Sequence, residues 1–165
     1  MPLAPVYTPS PMTTATDPAF YRLLAESYKR LLAHKPPFLE GSEPDGPRWL
    51  YASAQSCVLA HSTAADPLFI YANKSAQTLF EYDWDEIIGI PSRLSAEAPN
   101  RIERQHLLDA VKRHGFATGY SGVRISKSGR RFRIEDGVLW QLRDAGGMTH
   151  GVAATFSHWT FLTEG

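Results

Sequence analysis

From Gly119 to Trp159 apolar side chains return at about every second position, and the alternation is interrupted where Ser128-Gly129 and the run from Asp144 to Gly147 supply turn residues. A period of two with such punctuation predicts three consecutive antiparallel strands, with one wet and one buried face. Upstream the period changes. Asp17-Pro18 is a helix start, a capping carboxylate followed by a ring that tolerates the first helical position. Phe20, Leu23, Leu24, Ser27, Tyr28, Leu31 and Leu32 then recur at three-and-four spacing and stop before Pro36-Pro37. That predicts an amphipathic helix whose stripe must lie on the domain or on a second copy of it.

Between these two regions the elements are short. Trp49 to Gln55 reads as a helix, and Cys57 to His61 and Leu68 to Ala72 as strands around an Asp66-Pro67 turn. Asn73 can cap a helix from Lys74 to about Phe80, and Asp83 with Glu86 forms a capping box for Trp84 to Ile88, which Gly89 and Pro91 stop. Ile102, His106, Leu107, Ala110, Val111 and His114 line one side of a longer helix from about Asn100, closed by Gly115. The order predicts an α+β fold with a five-stranded antiparallel sheet covered on one face by short helices, plus the extra N-terminal helix. Residues 1–16 are expected to be a flexible tail, 17–47 the N-terminal helix and loop, and 48–165 the main domain.

Composition narrows the setting. A chain of 165 residues with 43% hydrophobic and 21% charged residues can bury a core without disulfides or metal. Lys plus Arg and Asp plus Glu both number 17, so no net field holds a nucleic acid or an anionic membrane, and neither is an expected partner. The single cysteine, Cys57, excludes an internal disulfide and a multi-cysteine metal site and suits a reducing compartment. No apolar run is long enough to span a bilayer, and Met1 to Thr16 has neither the positive charge nor the apolar stretch of a signal peptide, so the expected location is cytoplasmic.

Several separate motifs carry a family resemblance. Asp66 to Asn73, Leu79 to Tyr82 and Asp85 to Gly89 resemble the PAS pattern of a strand ending in Asn, a short helix and a Glu-apolar-apolar-Gly turn. More narrowly, Tyr71 to Asn73, Pro91 to Ser95, Ser121 to Ser126, Ser128 to Asp136 and Thr155 to Trp159 resemble the MEKHLA domain family, a PAS-like group found at the C-terminus of plant homeodomain-leucine zipper regulators and as free-standing proteins. The run of residues that names the plant domains is absent, as are a homeodomain and a zipper, so the likeness is to the free-standing branch. It implies a sensory or regulatory domain. A flavin-cysteine photocycle would need a Cys in the helical region near Ser92 to Arg101, which has none, and Cys57 lies elsewhere. Haem-binding relatives of the fold take their axial His from the longer helix, which singles out His106; its place on an apolar stripe reads more simply as a packed histidine. No cofactor or metal is expected.

In the strand around Arg131 to Leu142, Phe132, Ile134, Val138, Trp140 and Leu142 share parity and should face inward, with Asp136 among them. An inward carboxylate is costly unless paired, so Asp136 either anchors a ligand, with Arg93 or Tyr120 as partner, or sits at a bulge beside Gly137 that turns it outward. Phe69, Tyr71, Phe80, Phe132, Trp140 and Phe156 would fill the core and line any cavity. Arg124, Arg131 and Arg133 should share the outer face, either as a solvated surface or as a docking site for an acidic partner. No nucleophile elbow, phosphate loop or paired-carboxylate spacing occurs, so catalysis is not expected.

The combined expectation is a PAS-like sensory domain that binds a small apolar or aromatic ligand or a regulatory protein partner and signals through dimerisation, with Leu24 and Leu31 on the helix that pairs. The alternatives are an interaction module with a filled core, and a small α+β cone-type enzyme using Asp136 and a histidine as an acid-base pair.

Overall fold

The computed structural model describes residues 15–33, 36–39 and 45–163. Helices are α1 (Pro18–Leu32), α2 (Gly46–Ala52), α3 (Lys74–Phe80), α4 (Trp84–Ile87) and α5 (Ala98–His114), with short 3-10 turns at Pro37–Leu39 and Ser92–Ser95. Strands are β1 (Cys57–His61), β2 (Phe69–Ala72), β3 (Phe116–Ile125), β4 (Arg131–Arg143), β5 (Thr149–Phe156) and β6 (His158–Phe161). They form one antiparallel sheet in the order β2-β1-β5-β4-β3, and β6 prolongs the line of β5 along β4 beyond Ser157. The tail expected over 1–16, and most of the loop between α1 and α2, fall outside the described residues.

Local signals set the ends of these elements. Asp17 accepts the Ala19 N–H at 2.9 Å, and the α1 stripe starts from that cap. Asn73 is fully buried and uses its whole amide: Oδ1 accepts from Val58 N (3.0 Å) and Ala76 N (3.2 Å), and Nδ2 donates to Leu50 O (3.1 Å) and Ser56 O (2.8 Å). One side chain thus caps α3 and ties it to α2 and β1. Losing such a buried amide leaves orphaned backbone groups at about 1–3 kcal/mol each.

The sheet is covered on both faces. Val58, Ala60, Tyr71, Trp140, Leu142 and Ala153 pack against α1 and α2, whereas Leu59, Phe69, Phe132, Ile134 and Phe156 pack on the side of α3 and α4. The α1 stripe is therefore spent within the domain. Leu24 is fully buried, its carbonyl accepts the Trp140 indole N–H at 3.2 Å, and the Ser27 hydroxyl both accepts from Arg143 N and donates to Arg143 O at 2.8 Å. Trp140 stacks on Phe38 (5.2 Å, 19°) and meets Tyr28 edge-on (5.1 Å), contacts worth about 0.5–1.5 kcal/mol apiece beyond their burial. Leu31 is half-buried with a methyl over Gly115. The expectation that Leu24 and Leu31 form an open pairing surface is corrected: the dry face of β4 already takes that stripe.

Strand parity is also corrected. Phe132 and Ile134 lie on the α3 side, but Trp140 and Leu142 lie on the α1 side, so an even spacing along β4 crosses from one face to the other. The crossing is at Asp136, a non-glycine residue with φ 54°. Its neighbours cross with it: β3 at Gly119 (φ 66°), and the β5-β6 line at Ser157. On the β5-β6 flank one register runs through, Glu135 with His158 and Val138 with Thr155, whereas on the β3 flank Gly122 with Ile134 and Ala117 with Leu139 share a register that Tyr120, opposite Gly137, leaves by one residue. Three adjacent strands each spend a residue out of phase along one transverse line.

Candidate functional site

On the side away from α1, the sheet, α3, the Ser92–Ser95 turn and α5 line a half-open cavity of about 80 Å³. Its floor is cross-strand rows: Leu59, Ala154 and Leu139 stand side by side, and His61 is beside Val152. Phe69 and Phe80 close one part, Leu107 and Leu108 of α5 another, and Ile134 and Phe156 lie beyond the transverse line. At one end the lining turns polar, with His61, Ser92, Ser95, Arg104, Tyr120 and Arg124.

Two guanidinium groups are the unusual part of this end. Arg104 is 9% and Arg124 8% exposed. Arg104 donates to the Ser92 hydroxyl; Arg124 donates to its neighbour's carbonyl, Val123 O, at 2.8 Å and lies 5.2 Å from the centroid of the Tyr120 ring. Among the described residues neither has a carboxylate within ion-pair distance, although Arg93, Lys127 and Arg131 outside the cavity each have one. Burial, and then the charge of Arg124, pull Arg104 down to about 10, and burial likewise lowers Arg124. Both stay protonated at neutral pH. Burial, aided by the Arg104 charge, lowers His61 to about 4, so it stands neutral beside them. The Tyr120 hydroxyl is buried with no hydrogen-bond partner, and burial raises its pKa. Its ring has room because positions 122 and 137 are glycines: a Cβ on Gly122 would come within 2.3 Å of the Tyr120 hydroxyl.

Of the residues the sequence nominates, Phe69, Phe80, Tyr120 and Phe156 line the cavity. Phe132 stands one layer behind, edge-on to Phe80 at 5.1 Å. Tyr71 and Trp140 do not reach it, because they point to the α1 side, Tyr71 against Phe20 at 5.0 Å. Asp136 is exposed and absent from the lining, since its left-handed backbone turns it outward. It therefore anchors no ligand there, and the acid-base pair that the enzyme reading needed does not form. Arg93 is exposed and paired with Asp66 at 3.2 Å.

The arginine face also divides. Arg131 and Arg133 are exposed, the former paired with Glu97, but Arg124 stands opposite Phe132 and so shares the buried face. On α5 the inward stripe is Arg104, Leu107, Leu108 and Val111, while Ile102 and His106 are exposed, so the longer helix is turned away from the expected setting and His106 is off the cavity. Arg104, His61, Ser92 and Ser95 were not nominated. The signal for Arg104 is its spacing, three, four and seven residues before Leu107, Leu108 and Val111. Burial pushes the Cys57 thiol up to about 12, which makes it a poor nucleophile. The described residues contain no cluster of three or more His, Cys, Asp or Glu suited to a metal, and no helix among them is long and apolar enough to cross a membrane.

A five- to six-stranded antiparallel sheet with short helices and one longer helix over a cavity is the architecture of PAS domains, and solved structures agree. The PAS domain of a Colwellia psychrerythraea protein matches with a TM-score of 0.56 at 19% identity, over 68% of this chain and 91% of that one. A light-oxygen-voltage domain studied with a flavin analogue matches at 0.57 and 17% identity, over 75% and 89%. An RNA-binding light-oxygen-voltage receptor matches at 0.58 and 17%, over 74% of this chain and 35% of that one. The fold is thus PAS-like. The sequence profile of the MEKHLA domain matches residues 18–161, and the chain belongs to that family. No curated protein matches it.

Proposed function

We propose that the chain is a PAS-like sensory or regulatory domain that takes a small molecule into the cavity beneath α5 and reports occupancy by contact with a partner, a second copy of itself included. The observation that carries this reading is the cavity: apolar over most of its wall, polar at one end, and bounded by half-buried Leu107 and Leu108. That pairing of an apolar body with a few convergent polar groups is the usual form of a small-molecule site. Family membership and the sensory domains among the structural neighbours support it. The free Cys57 thiol suits a reducing cytoplasmic setting.

If self-association transmits the signal, the stripe of α1 is not its surface, since Leu24 is buried against β4. The test is native mass spectrometry of protein taken directly from cells, with light scattering before and after removal of any bound molecule. A co-purifying small molecule, and an oligomeric state that changes when it leaves, are the expected results. Protein that emerges empty, takes up no member of a broad metabolite library and holds one oligomeric state would favour an interaction module instead.

A further inference from the structure

The polar end of the cavity narrows the class of ligand, an argument that rests on the pocket reading above. Buried guanidinium groups are ordinarily paired, because an uncompensated cation in an apolar surround loses its hydration without return. Arg104 and Arg124, on facing elements and in the lining of one cavity, each lack a contact ion pair among the described residues: the carboxylates of Asp66 and Glu103 act on them only from beyond salt-bridge distance. Arg104 is held toward the space by the Ser92 hydroxyl, and Arg124 is steadied over the Tyr120 ring. In the same lining the buried Tyr120 hydroxyl is a donor without an acceptor among the described residues. All three groups offer protons and none offers a negative charge. The natural complement is a carboxylate, which accepts two parallel N–H bonds from a guanidinium and has lone pairs left for a phenol.

The remaining wall fixes the other half of the molecule. Leu59, Phe69, Leu107 and Leu139 present only hydrocarbon. A volume of about 80 Å³ is roughly half that of a 150 Å³ engineered cavity that admits benzene, so the body is a few carbon atoms long. We propose that this site binds a short-chain monocarboxylate, its carboxylate held by Arg104, Arg124 and the Tyr120 hydroxyl and its aliphatic tail lying along Leu59 and Leu107.

The experiment is calorimetric titration of the full chain with propionate, butyrate and benzoate, each beside its uncharged amide. Butyrate should bind at least about tenfold more tightly than butyramide, and Arg104→Met and Arg124→Met should each abolish that preference. The apo variants supply a second reading: removing an unpaired buried cation should leave the melting temperature unchanged or higher, whereas removing a structural arginine should lower it. Acid and amide binding equally well would overturn the carboxylate proposal and leave the pocket reading standing. Failure of every acid and every amide to bind would overturn both. Variants that melt lower and still prefer butyrate would also overturn it, by showing the two arginines to be structural.

Discussion

His61 gives the pH dependence of folding a sign and a size. Its imidazole is half-buried near Arg104, and its folded pKa is lowered from 6.5 to about 4, by desolvation first and the neighbouring charge second. The unfolded chain therefore takes up the proton before the folded one does. The stability tied to the neutral ring is complete above about pH 6.5 and is lost as pH falls toward 4. At pH 5 the unfolded ring is almost wholly protonated and the folded ring about nine-tenths neutral, so linkage puts the loss relative to pH 7 at about 2 kcal/mol. With a urea slope of about 2 kcal/mol/M, the midpoint of unfolding should fall by about 1 M over that interval. The perturbation is His61→Gln, a neutral ring replaced by a neutral amide. Chemical denaturation of both proteins at pH 7 and pH 5 cancels the contribution of every other titrating group. The variant should keep most of its midpoint on acidification while the parent loses it; equal losses in the two would refute the reasoning.

Other expectations follow from single contacts. Leu24→Ala should cost about 2–5 kcal/mol by denaturation, and Leu24→Glu should unfold the domain rather than yield a folded monomer, read by circular dichroism with light scattering. Asp136→Val places a β-branched residue at φ 54° and should cost about 1–2 kcal/mol, whereas Asp136→Gly should cost nothing and leave ligand uptake intact, since the position lies off the cavity. Gly122→Ala sets a methyl within 2.3 Å of the Tyr120 hydroxyl and should drive the ring into the cavity, seen as weaker uptake of any ligand with little change in secondary structure.

Elements were legible in the chain where one signal acts alone. The α1 stripe with its Asp17 cap, the Asn73 cap of α3, and the strand order all stand at or near their sequence positions. What escaped was the choice between faces. Alternation assigns Trp140 and Ile134 to one side; Asp136-Gly137 offers a bulge between them, which the structure bears out, but the local sequence does not decide between that bulge and an inward carboxylate. The same limit applies on α5, where polarity argues for Ile102 inward and Arg104 outward. The arrangement is the reverse, because the wall faced by Arg104 is itself polar, with Ser92 and Tyr120. A rule that sorts residues by water preference cannot see a site built to hold charge. The cavity residues missed are the ones whose burial makes sense only together.

In a uniform sheet a strand can slide by two residues and still present the same side chains to each face, so only a one-residue slip is penalised by burial. Here the interruptions at Asp136 and Ser157 face each other, and β3 breaks its register against β4 over the same stretch, between Ala117 and Gly122, so a slide by β3, β4 or the β5-β6 line would carry one interruption out of step with its neighbours. The break in alternation thus serves as an alignment pin: it admits one register among those that hydrophobicity alone would tolerate, and it holds Arg124 and Tyr120 level with the rest of the cavity wall.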